Sequence, residues 1–593
     1  MSRRTRSLRM LGLCAALTVV GTWPLAWPDG ALVQRNADAY GSAWLIWSAG
    51  TQDVAATLEW ADTLLYGLLA PLVAPLGAAT GYHVLTLLGV FLSVAVTERV
   101  AHQIFEVRRP ASLIAAIAYG LSPLSGTGLA EGHGGLLFGP GLPLLFGALE
   151  RRPGSRPWQW AGWVTAAGCL CALQSGYFAV MAGLTVGVYG GARRRPLWRI
   201  VPIALGPALV YWVVVFGGLD PSSAADRVSG LVSTFSALDT LAGVPPGFDL
   251  AWYHIRHPLL WTLLAFGAAL PLARREGPDT ALVLVGVTAV VLSLGERAYV
   301  TTFPGEFSDL RTGSAWGWIR HWASPLKLFR FPTRFLWIWY LAAGLGAARL
   351  AAWLLPGRAH WLVALVLGET LLVGMRPLEP RRTVAAIPSA YDALTPQDTV
   401  LDLWPWYPNS VSLQVLNISC YYQTRHQAQL PFSCLTVSTP QSPLRTQVDG
   451  VVAALLANAP DRALEVLAQD DITHVAWHSD AFEQDGREDV GRILEHWWGP
   501  PVARSRDGGE TIVLYRAGPA EPAPERPSVT ASPDAAVLDD NCPSYAMCRV
   551  RPGGSAEPGD PLPLWVLPVT AAGGLILLPL AARRRRSPAS DPQ

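Results

Sequence analysis

YHVLTLLGVFLSVAVTERVAHQI, residues 82 to 104, followed closely by Arg108 and Arg109, is the stretch on which the fold of this chain turns. A run of that length crosses about 30 Å of hydrocarbon as a single helix. Working outward, similar apolar stretches recur at approximately 9 to 27, 111 to 126, 135 to 149, 158 to 173, 177 to 191, 200 to 219, 257 to 273, 279 to 295, 334 to 355, 360 to 375 and 563 to 582. The expected fold class is therefore an α-helical polytopic membrane protein of about twelve transmembrane helices. Composition agrees: of 593 residues 51% are hydrophobic and only 15% charged, against roughly 25% charged in an ordinary soluble protein. A net charge of +1 leaves no basic excess to neutralise phosphates, so a nucleic-acid partner is not expected. Lys327 is the only lysine, and every other base is arginine.

Those arginines set the orientation, because basic residues beside a span resist translocation. Arg3, Arg4, Arg6 and Arg9 precede the first stretch. Arg108 and Arg109, Arg151, Arg152 and Arg156, Arg193 to Arg195, Arg274 and Arg275, Arg358, and Arg583 to Arg586 follow at later boundaries. With twelve spans all of them fall on one side, the cytoplasmic one, together with both termini. The first alternate loop, about 28 to 81, is acidic, with Asp29, Asp38, Asp53, Glu59 and Asp62 against Arg35. Pro28 has no small-residue cleavage site before it, so the first stretch reads as a retained helix and not a secretory signal.

Four segments follow: a membrane domain over 1–375, an extracytoplasmic α/β domain over 376–516, a Pro/Ala-rich linker over 517–562 and a terminal helix with an arginine tail over 563–593. Within the second, Thr399 to Leu403, Ile472 to Trp477 and Thr511 to Arg516 have strand character. Gln447 to Asn458, Arg462 to Gln469 and Arg487 to Trp498 have helical periodicity. Cys420 with Cys434 and Cys542 with Cys548 form two close pairs on the outer side, expected as disulfides in an oxidising compartment. Asn417-Ile-Ser matches a glycosylation sequon by pattern. The tail reads as an anchor with a stop-transfer flank, and is also similar to the C-terminal sorting tails of some Gram-negative surface proteins.

Ionisable groups beside a membrane need a reason. The first outer loop reads Asn36-Ala37-Asp38-Ala39-Tyr40-Gly41-Ser42-Ala43-Trp44-Leu45-Ile46-Trp47, a carboxylate at the interface followed by a Trp-rich helix able to lie along the membrane. The plain alternative is that Asp38 caps this helix.

A first span followed by N-x-D-x-x-x-x-x-W resembles the opening of the GT-C membrane glycosyltransferases and their bacterial relatives. Further similar features come in the same order: a Pro-rich hydrophobic loop at Leu68 to Pro75; Ser122-Pro123; the turn Glu131-Gly132-His133; a Pro-containing span at Pro140 to Leu145; a break at Gln174 to Tyr177; and Phe329-Arg330-Phe331-Pro332-Thr333-Arg334-Phe335. The resemblance covers roughly residues 9 to 355. It implies transfer of a sugar from a polyprenyl-phosphate carrier to a lipid, glycan or protein acceptor on the outer face of a bacterial inner membrane. It assigns Asp38 as general base or metal ligand, Glu131 and His133 as second-loop site residues, Asn36 as a neighbouring polar ligand, and Arg330 and Arg334 as a grip on the carrier phosphate. Alternatives are a turn residue for His133 and interfacial snorkelling for the arginines. Many members carry two neighbouring acids in the first loop, where this chain has Asn36 and Asp38. A divalent Mg or Mn ion on Asp38, Glu131 and His133 is compatible with their donor atoms, and the missing acid also fits weak metal binding or lost activity. Two other classes compete: a transporter or flippase for a lipid-linked glycan, and a non-catalytic assembly protein on the same scaffold.

Overall fold

A computed structural model describes residues 3–23, 32–33, 38–51, 64–130, 132–151, 157–195, 278–293, 298–302, 306–310, 332–355, 358–371, 382–383, 387–403, 412–430, 443–481, 484–507 and 511–518. The helical part comprises α1 (Arg3–Gly21), α2 (Asp38–Thr51), α3 (Leu64–Val73), α4 (Ala78–Gln103), α5 (Ser112–Gly120), α6 (Pro123–Ala130), α7 (Gly141–Glu150), α8 (Pro157–Gln174), α9 (Gly176–Thr185), α10 (Pro278–Ser293), α11 (Leu336–Leu354) and α12 (Ala359–Glu369). Proline opens α6, α8 and α10, where its missing N–H is one of the unpaired donors of a first turn. Short strands β1 (Leu32–Val33) and β4 (Arg382–Thr383) pair with one another, and β2 (Ala298–Thr302) pairs with β3 (Glu306–Leu310), both antiparallel.

α4 is the axis. It packs against α1, α2, α3, α5 and α7, while α5 is clasped between α4 and α11 and α10 covers α11. Small residues allow the close approach: a Cβ on Gly344 would stand 2.8 Å from the Ala118 Cβ. Three arginine–carboxylate pairs staple one end of this bundle. Arg109 Nε lies 2.8 Å from Glu98, Arg193 Nη2 2.7 Å from Glu150, and Arg349 Nε 2.6 Å from Asp279. Arg349 also donates to the Phe105 carbonyl, and Arg195 to the carbonyls of Leu149 and Glu150. A Cβ on Gly147 would meet Ile104, which joins the two groups. Arg109 and the pair Arg193 and Arg195, from two of the sequence boundaries, thus gather at one end together with Arg349.

Beyond the bundle lie β5 (Val400–Leu403), α13 (Ser412–His426), α14 (Pro443–Ala457), α15 (Pro460–Ala468), β6 (His474–His478), α16 (Gln484–Trp498), β7 (Ala503–Ser505) and β8 (Ile512–Arg516). The strands form one sheet in the order β5-β6-β8-β7, with β5 and β6 parallel and the remaining pairs antiparallel. All three expected strands and all three expected helices of this region are present within a few residues. β7 and α13 were not anticipated.

Several expectations need correcting. Among the described residues only α4 is long and apolar enough to span hydrocarbon alone, so a count of twelve does not follow from them. The stretch 111–126 breaks at Leu121 and Ser122, where the Ser122 hydroxyl accepts the Ser125 N–H at 3.2 Å and restarts the chain as α6. The stretch 177–191 ends in a π-helical turn at Val186–Gly190. Leu68 to Pro75 is not a loop but α3, with Pro71 inside it, continued by the 3₁₀ turn Ala74–Leu76. The first helix starts at Arg3, well ahead of residue 9. The sequon asparagine lies inside α13. The stretches 200–219, 257–273 and 563–582, and the linker from residue 519 on, lie outside the described residues.

Candidate functional site

α2 begins at Asp38 and does not lie along a surface. Ala39, Tyr40, Gly41, Ala43 to Ile46, Ser48 and Ala49 are buried, so the helix is enclosed on nearly every face. This overturns the amphipathic, membrane-lying reading, for a helix with no polar face belongs inside a structure. Its first turn meets the turn at Gly132. Gly132 takes φ +79°, and a Cβ there would stand 2.3 Å from the Ala39 nitrogen, an approach only glycine permits. The Ser42 hydroxyl donates to the Gly132 carbonyl at 3.4 Å. The backbone at the start of α2 and the turn at Gly132 and His133, more than 90 residues apart in the chain, are thereby held side by side.

From that turn the polar chain continues. His133, half-buried, precedes the 3₁₀ turn Gly134–Leu137, and the Gln174 side-chain amide donates to the Leu136 carbonyl at 2.9 Å. Ser93 Oγ donates to the Leu137 carbonyl and accepts the Gly139 N–H, both at 2.9 Å. Gln174 ends α8, Ser175 is extended at φ −171°, and α9 restarts at Gly176. Gln174 Oε1 and Ser175 Oγ are buried with no hydrogen-bond partner among the described residues. Two residues on, the Arg334 guanidinium lies 3.9 Å from the centroid of the Tyr177 ring, a cation–π contact. Trp337, the second residue of α11, packs on Phe178 and Tyr119. The first loop, the Gly-His turn, the Gln-x-Gly-Tyr break and the second arginine of the F-R-x-P-x-R-F run form one connected set.

The outer face of α2 is covered by α13. The Trp44 indole N–H donates to Gln423 Oε1 at 3.0 Å, and the Tyr40 and Tyr421 rings lie 5.1 Å apart. α13 also packs on a buried cluster that sequence reasoning missed. Asp402, on β5, accepts the Tyr391 hydroxyl at 2.5 Å and lies 3.2 Å from His478 Nε2, at the end of β6. Tyr422 stacks on His478, and His426 stacks on Tyr391. Burial alone would raise the Asp402 carboxyl, but the hydrogen bond and charge of His478 and the Tyr391 hydroxyl hold it below the usual carboxylate range. Burial pushes the His426 imidazole down to about 4. The only sequence signals were an acid inside a strand and histidines inside apolar runs.

Of the expected site residues, Asp38 and His133 are placed as above and Arg334 lies on Tyr177. Asn36, Glu131, Arg330 and the Asp38 side chain lie outside the described residues. Cys420 is disulfide-bonded, whereas Cys434, Cys542 and Cys548 lie outside them. Cys14, Cys169 and Cys171 are free thiols. Among the described residues no three His, Cys, Asp or Glu side chains converge as a metal ion requires, and His133 is the one metal candidate whose side chain is described.

No family model and no curated protein matches the chain. Solved structures do. The oligosaccharyltransferase AglB of Archaeoglobus fulgidus, in complex with an inhibitory peptide and a dolichol-phosphate, is 11% identical over 89% of this chain and 75% of its own, with a TM-score of 0.45. The mycobacterial arabinofuranosyltransferase AftD is 17% identical over 88% of this chain, which spans 40% of AftD, with a TM-score of 0.48. ArnT of Cupriavidus metallidurans, bound to undecaprenyl phosphate, is 16% identical over 88% of this chain and all of its own, with a TM-score of 0.39. These neighbours are glycosyltransferases of the GT-C type. With likeness this distant, the chemistry below rests on the residues of this chain.

Proposed function

We propose that this protein is a polytopic membrane glycosyltransferase that moves a sugar from a polyprenyl-phosphate-linked donor to a lipid, glycan or protein acceptor at the extracytoplasmic face of a bacterial inner membrane. The observation that carries the reading is the close approach of the start of α2 to Gly132, the residue before His133. In this reading about twelve helices over 1–375 and 563–582 form the membrane part, with both termini cytoplasmic and the segment 376–516 outside. The arginine-stapled end of the bundle faces the cytoplasm, and the connected polar set lies at the other end.

The reaction is a displacement at the anomeric carbon. The acceptor hydroxyl oxygen bonds to that carbon, the bond from carbon to phosphate oxygen breaks, and polyprenyl phosphate departs with the bonding pair. The Asp38 carboxylate takes the hydroxyl proton. The Arg334 guanidinium, 3.9 Å from the Tyr177 ring centroid, grips the leaving phosphate, and the start of α9 with its unpartnered Ser175 hydroxyl adds dipoles of the right sign. Asn36, Glu131, His133 and Arg330 belong to donor and acceptor binding. A Mg or Mn ion held by Asp38, Glu131 and His133 would supply Lewis-acid assistance, and no step here depends on it. Cys420 with Cys434 and Cys542 with Cys548 are the proposed disulfide pairs.

Asp38→Asn tests the reading. The glycan and glycolipid profile of cells carrying only this variant is expected to lose one product by about 10²- to 10⁴-fold at unchanged protein level. An unchanged profile sinks the enzyme and leaves the assembly role. A lost product together with blocked carrier flipping would point to the flippase.

A further inference from the structure

We infer that Gln423, from the α/β segment, is a positioning residue for the site on α2, an inference that rests on the Asp38 reading above. Its side-chain amide is fixed at both ends. Nε2 donates to the Ala428 carbonyl at 3.1 Å, and Oε1 accepts the Trp44 indole N–H at 3.0 Å. The two bonds agree on a single amide orientation, since only oxygen can accept from the indole. Tyr40 and Trp44 lie four residues apart on one face of α2, and both meet α13, through Tyr421 and Gln423. Two contacts one turn apart fix the rotation of a helix about its own axis. The rotation of α2 sets the angular position of its first residue, Asp38, about the helix axis.

α13 is a firm support for such a role. The Arg425 fork holds Asp392 with bonds of 2.6 and 2.7 Å and donates to the Ile387 carbonyl. Cys420 is in a disulfide. Tyr422 and His426 are stacked into the Asp402 cluster. Gln427, at φ +56°, closes the helix and returns the chain to place Ala428 under the Gln423 amide. The segment beyond the bundle thus supplies a polar contact that orients the first outer helix.

The test uses the full chain in nanodiscs, with carrier lipids extracted from the producing cells as donor, titrated by mole fraction. Gln423→Met keeps the volume and removes both bonds. It is expected to lower turnover about 10- to 100-fold while the half-saturating mole fraction of carrier changes less than about twofold, because orientation of the base is lost and donor binding is not. Trp44→Phe should do the same, and the double variant no more than either alone. Amide exchange of 39–51 should rise about tenfold in each, with the strands at 474–478 and 512–516 unchanged. Unchanged turnover and exchange in Gln423→Met would overturn the inference. So would equal loosening of the strands, or a rise in half-saturation with turnover intact. Should Asp38→Asn retain full activity, the functional reading fails by itself, and the exchange measurement still decides whether Gln423 orients α2.

Discussion

Gly132 bears the most stringent demand on a single position. Its φ of +79° and the 2.3 Å that a Cβ would leave to the Ala39 nitrogen make Gly132→Ala both strained and blocked. A backbone shift that separates α2 from the turn is the expected response, with about 2 kcal/mol or more lost and transfer abolished even where folded protein accumulates, checked by thermal unfolding and by product profile. His426 makes a different demand. Its pKa falls from 6.5 to about 4 on folding, so between those values the unfolded chain binds a proton that the folded chain refuses. Stability therefore falls as the pH is lowered from about 6.5 to 4, by roughly 3 kcal/mol at the limit. Asp402, with its depressed carboxyl, adds a further loss below the ordinary carboxylate value near 3.8. His426→Phe keeps the stack on Tyr391 and removes the proton, so urea unfolding at pH 7 and pH 5 should differ less in this variant than in the parent. The sequence marked Asp38, the Gly-His turn and Arg334 because charge and glycine near a membrane are conspicuous. It passed over Gln423 and Asp402, whose meaning lies in partners tens to hundreds of residues away.

At the level of elements, what could be read in advance was what periodicity controls. α4, α11 and the strands β5, β6 and β8 stand close to where hydrophobic runs and β-branched patterning put them. α2 was misjudged because tryptophans beside a membrane suggest an interfacial belt, yet here Trp44 is buried against α13 with its indole paired. α3 was read as a loop because of its prolines, and it forms as a helix that carries Pro71. The break at Ser122 could not be placed by hydropathy, since an uninterrupted apolar run gives no sign of where one helix stops and the next restarts, whereas the break expected at Gln174 to Tyr177 is present at Ser175. Arg349, on α11, tests how elements are tied together. Arg349→Met would leave the nearly buried Asp279 without its partner, at an expected cost of 3 to 5 kcal/mol or somewhat less given the partial exposure of Arg349. Arg349→Met with Asp279→Leu should recover most of that loss in the same thermal assay.

For the molecule as a whole, the alternation of arginines predicts a single-sided arrangement; among the described residues Arg109, Arg193 and Arg195 represent two of those boundaries, and they meet at one end of the bundle with Arg349, a residue from within an expected span. A cysteine at the exposed position 358, in a background lacking Cys169, is therefore expected to react with an impermeant maleimide only after the cells are permeabilised. Labelling in intact cells would invert the orientation on which the outer-face chemistry depends. The hydrogen bond between Trp44 and Gln423 joins residues 379 positions apart. At 5 to 20 residues per second a ribosome needs roughly 20 to 75 seconds to make the chain between them. Over that interval the nascent α2 presents Tyr40 and Trp44 without the surface that later encloses them, so the earliest outer helix is among the last to be completed, and a message truncated before α13 would yield an inserted bundle with that helix open to proteases.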